Sequence, residues 1–80
     1  SLSREVNQIR MRSKNILISK IRCRSNDLLL RLNKEFDTLD KRKKEILSSA
    51  IMIKAKGENE SLDIDFLIEI CTRPILQTIF

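Results

Sequence analysis

The chain has no histidine, tryptophan or tyrosine, and only one glycine, one proline and two cysteines among its 80 residues. Each scarcity excludes something. Without histidine, and with no glycine-rich loop or nucleophile beside a base, the usual inventory of general acid–base and nucleophilic catalysis is nearly empty, so the sequence reads as non-enzymatic. The acid pairs Asp63/Asp65 and Asp37/Asp40 fit solvated helix charge better than a catalytic or cation site. With neither histidine nor a CxxC pair, no metal or cofactor is expected. Cys23 and Cys71 are expected as small buried hydrophobes in a reducing compartment rather than as a disulfide framework. No apolar run approaches the roughly 18 residues of a membrane span. Neither a membrane nor a small-molecule substrate is expected as a partner.

One glycine and one proline leave few places to turn, which predicts long elements and an all-α chain. Between Leu2 and Lys56 there is neither residue. A long helix is predicted over about residues 3–56, with Ser3 as N-cap and Glu5 in its first turn. Two interruptions are considered, at 13–15 and at 24–27 where cap-type residues cluster, and continuity is favoured. Gly57 is the predicted stop, with Lys54 and Lys56 in the last turn where the helix dipole favours cations. A turn over 57–61 then leads to an antiparallel return helix over about 62–73, capped by Ser61 or Asp63. Pro74 predicts a kink or a new short helix.

The return segment, SLDIDFLIEICTRP, alternates like a strand, but no other segment alternates with period two to pair with it. A helix is therefore expected, docking within the chain through Ile64, Leu67, Ile68, Cys71 and Ile75. This leaves Leu62, Phe66 and Ile70 pointing away from that stripe. On the long helix, Leu17, Ile21, Leu28, Leu32, Leu39, Ile46, Ala50 and Ile53 fall within a narrow sector, flanked by Phe36 among others. A heptad through Leu29, Leu32, Phe36, Leu39, Lys43, Ile46, Ala50 and Ile53 makes Lys43 a polar seam residue. Leu2, Val6, Ile9 and Ile16 form a separate stripe, rotated from the later one.

An unbroken first helix would span roughly 80 Å, and the return helix could cover only about its last third. These uncovered faces predict a coiled-coil or helical-bundle oligomer, most economically a homodimer. Its interface would use Leu17, Ile21, Leu28, Leu32, Phe36, Leu39, Ile46, Ala50, Ile53, Leu62, Phe66 and Ile70. Other helical proteins would satisfy the same faces. Eighty residues are close to the lower limit for one stable core, and the pattern runs on into Ile79-Phe80. We therefore expect residues 1–80 to be one interaction module of a larger protein.

Charge is unevenly placed. Residues 1–34 carry nine Lys/Arg against two acids, whereas residues 57–80 carry one against five. The basic half suits either acids on another helix or nucleic acid, with Arg10, Arg12, Lys14, Lys20, Arg22 and Arg24 as candidate contacts. That half has no aromatic on which bases could stack. Lys41-Arg42-Lys43-Lys44 is a compact basic run of the kind import receptors read, which tilts the expected location from intracellular to nuclear. Leu67-Ile68-Glu69-Ile70, preceded by Asp63 and Asp65, resembles a small-modifier (SUMO) interaction motif, which would imply binding as an added strand. The resulting expectation is a non-catalytic oligomerisation and protein–protein interaction scaffold, with a nucleic-acid-associated helical module as the alternative.

Overall fold

Three side-chain caps set where helices begin. Ser1 Oγ accepts from the Arg4 N–H, Ser25 Oγ from that of Leu28, and an Asp63 carboxylate oxygen from that of Phe66, at 3.3, 3.3 and 3.1 Å. Each satisfies an amide that the first helical turn leaves without a partner. The computed structural model, which describes residues 1–57 and 63–76, accordingly holds α1 (Leu2–Arg22), α2 (Asn26–Lys56) and α3 (Ile64–Thr72). The chain is all-α, and the return segment is a helix.

The continuous first helix is corrected. It breaks at residues 23–25, at the edge of the second interruption considered, while residues 13–15 remain helical. Cys23 (φ −82°, ψ 127°) and Ser25 (φ −90°, ψ 122°) are both extended. Any L-residue reaches that region without strain. The reversal therefore needs neither glycine nor proline, and their absence was no argument for continuity. The first cap also moves, from Ser3 to Ser1.

The other boundaries follow from conformations the sequence demands. Gly57 ends α2 in the left-handed region (φ 73°, ψ 16°), its N–H donating back to the carbonyls of Ile53 and Lys54. That conformation suits glycine, which has no Cβ. Arg73, held before Pro74, is extended (φ −67°, ψ 138°) and stops α3. No helix resumes over residues 74–76, and any later one would lie outside the described residues.

The break lets α1 fold back along α2. Glu5 pairs with Arg42 and Arg12 with Glu35, at 2.6 and 2.5 Å. These two pairs are one heptad apart on both helices, so they record an antiparallel register. Lys54 near the end of α2 pairs with Asp65 at the start of α3 at 2.6 Å, while Arg10, level with the middle of α2, meets the end of α3, so α3 runs antiparallel to α2. All three helices touch one another. Their core is Val6, Ile9, Ile46, Ala50, Ile64, Leu67, Ile70 and Cys71, with Leu2, Leu39, Leu47, Ile53 and Ile68 packed against it.

This arrangement changes the expected interface. Ile46, Ala50 and Ile70 are 1–2% exposed and belong to the chain's own core. A second chain is not needed for them, because α1 and α2 together cover two sides of α3. Leu39 and Ile53 also pack on this core. Leu62 lies outside the described residues.

Candidate interaction surface

The core sits at one end of the α1–α2 hairpin. At 1.5 Å per residue, α3 runs about 14 Å, whereas α1 runs about 32 Å and α2 about 47 Å. Two residues mark the side of the hairpin on which α3 lies. Arg10 of α1 donates to the carbonyl oxygens of Ile70 and Pro74 at 3.1 and 2.9 Å, and to that of Arg73. Lys43 of α2 is 9% exposed, and its charge acts on the buried Cys71 thiol. One heptad from Arg10 toward the hairpin turn lies Leu17. One and two heptads from Lys43 in the same direction lie Phe36 and Leu29. By this spacing, the side of the hairpin that α3 covers at one end carries apolar side chains on toward the other, a strip that extends the α3 groove.

There nothing in the chain covers it among the described residues. Leu17, Leu29, Leu32 and Phe36 are half-buried, Leu28 is 49% exposed and Ile21 is 79% exposed. The seam beneath them buries only Ser13 and Ile16. Ser13 was missed by the sequence reading because it is polar. The spacing Leu2, Val6, Ile9, Ser13, Ile16 alternates steps of four and three, and was the signal that could have found it. A second exposed apolar group, Ile51 and Met52, lies on α2 near Gly57, and Phe66 is 40% exposed on α3.

The six basic candidates part company. Arg10 is committed to the end of α3, where its charge meets the negative pole of the helix and its N–H groups satisfy terminal carbonyls. Arg12 holds Glu35 through two parallel hydrogen bonds, at 2.5 and 2.8 Å. That contact lowers the Glu35 carboxyl below its ordinary value. Lys14, Lys20, Arg22 and Arg24 are in no ion pair among the described residues, and neither are Arg31 and Lys34.

Other motifs are absorbed by the fold. Within Lys41–Lys44, Arg42 holds Glu5 and approaches Glu45, Lys44 pairs with Asp40 at 3.1 Å, and Lys43 is buried. The four residues are helical, not extended. Leu67 and Ile70 of the strand-addition motif are 3% and 2% exposed and helical, so in this fold they have no edge to offer. Ile64 and Cys71 are buried, Ile68 packs against the core and Ile75 is half-buried. Burial pushes the Cys71 thiol up, while Lys43 and Arg10 pull it the other way.

Among the described residues, no cluster of three metal-ligating side chains occurs, and no helix is long and apolar enough to cross a membrane. Comparison with protein-family models, curated proteins and solved structures finds no match.

Proposed function

We propose that the chain is a non-catalytic helix-pairing module that acts through the uncovered end of the α1–α2 groove. One observation carries this reading: Leu17, Ile21, Leu29, Leu32 and Phe36 continue the α3 groove beyond the reach of α3. Exposed aliphatic side chains in a contiguous strip favour association over solvation. A second copy or a helix of another protein would complete the same three-helix packing, so oligomerisation and scaffolding belong to one mechanism.

Nucleic-acid binding stands second. It is favoured by the basic side chains around the hairpin turn that have no acidic partner among the described residues. It is weakened by the loss of Arg10 and Arg12 to contacts within the chain. The nuclear reading draws little support from Lys41–Lys44, because an import receptor would have to unwind that part of α2.

Light scattering from micromolar concentration upward, alone and with designed amphipathic helices, tests the main reading. The expected result is an oligomer or a helix complex that Ile21→Asp abolishes. A monomer that binds no helix at any concentration would remove it.

A further inference from the structure

The hairpin tip carries charge largely of one sign. Between Ser13 and Phe36 the chain carries Lys14, Lys20, Arg22, Arg24, Arg31 and Lys34, none of them ion-paired among the described residues. The acids in that span are Asp27, in the first turn of α2, and Glu35, which Arg12 already holds. Resting on the reading of this groove as a docking face, we propose that its occupant is an amphipathic helix of another protein, with acidic residues flanking its apolar stripe.

The geometry sets the length. On α1 the open stretch runs from Lys14, which also lines a cavity with Pro74, Ile75 and Leu76, to Arg22, about 14 Å of helix axis. That matches the nine residues of α3. The occupant therefore extends the course of α3 by two to three turns, presenting apolar anchors at i, i+3 or i+4, and i+7. Leu17 and Ile21 would meet those anchors from one side, and Leu29, Leu32 and Phe36 from the other. Lys14, three residues before Leu17 and seven before Ile21, flanks the α1 side.

Charge separates this occupant from the alternatives. A two-fold contact between copies puts the same patch on itself, so a second chain would bring like cations together around an apolar strip. Phosphate would satisfy the cations but leave Ile21 and Leu17 uncovered. An acid-flanked helix satisfies both parts at once.

The test is fluorescence anisotropy on the whole 80-residue chain. Its probe is a labelled peptide of about 14 residues, roughly four turns, with leucine anchors and glutamate flanks. Comparison probes carry lysine flanks or serine anchors, and a duplex DNA and phosphatidylserine vesicles complete the set. Lys14→Glu and Ile21→Ser alter exposed side chains and should leave the circular dichroism unchanged. The glutamate-flanked peptide should bind at least about tenfold more tightly than the other two peptides, with each substitution weakening it about tenfold. Equal binding of the lysine-flanked peptide would overturn the acidic occupant while leaving helix docking intact. So would self-association through Ile21 that excludes the peptide. Binding of DNA or vesicles without any peptide would overturn the acidic occupant and remove its support from the docking reading. No association of any kind would overturn both.

Discussion

Arg10 Nη1 lies 3.1 Å from the carbonyl oxygen of Ile70, sixty residues further along the chain. The same guanidinium reaches the carbonyls of Arg73 and Pro74. A side chain of α1 thus completes the hydrogen bonding of the C-terminal end of α3, which has no basic residue of its own in its last turn. Replacing Arg10 with Gln should destabilise the chain by about 1–2 kcal/mol. Amide exchange at Leu67–Thr72 should quicken more than exchange in α2. Unchanged protection there would show that packing alone holds α3.

Lys43 occupies a seam position at 9% exposure, with its ammonium 3.8 Å from Asp40. Asp40 has a closer partner in Lys44, at 3.1 Å. Removing the Lys43 charge therefore leaves no acid unpaired. Lys43→Met keeps the length of the stem and removes the cost of burying a cation. It should stabilise the chain by about 1 kcal/mol in chemical denaturation. A loss of stability would mean that the ammonium sets the helix register.

Arg42 lowers the Glu5 carboxyl and Arg12 lowers that of Glu35, in both cases chiefly through the hydrogen-bonded pair, with burial working the other way. A carboxyl lowered on folding binds protons more weakly in the native state than in the unfolded one. Its contribution is therefore present above the ordinary value of about 4.5 and fades as pH falls below it through the folded value. Thermal melts should show little change from these groups between pH 7 and about pH 5, then a decline. Glu5→Gln combined with Glu35→Gln should flatten that acid decline. An unaltered profile would assign it to other carboxylates.

Much of the fold was legible because its signals are local. Gly57, Asp63 and Pro74 act within a turn of themselves, and the return helix had a matching face. The hairpin break was harder to read. It depends on a serine cap and extended dihedrals, which cost so little that composition barely records them. Misplacing it had one large effect. With α1 drawn as part of a single rod, Ile70 lacked cover and was given to a second chain, and Ile46 and Ala50, within reach of the return helix, were shared with that chain. Once α1 folds back, they are core. Leu17, Ile21 and Phe36, expected on an uncovered face of one long helix, lie on the hairpin beyond the end of α3. The commitments of Arg10 and Arg12 were beyond the reach of sequence, because both contacts exist only in the folded register.

Val6 and Ile9 share one core with Ile64, Leu67, Ile70 and Cys71, although more than fifty residues separate the two groups. Bringing them together closes a long loop, at an entropic cost that grows only slowly with length. The α1–α2 hairpin makes the nearer contacts and so can form early, but most of its buried side chains lie where α3 packs. Folding should thus run from the turn toward the chain's two ends, while resistance to opening runs the other way. The hairpin tip, first to form and least buried, should be the part that opens most readily.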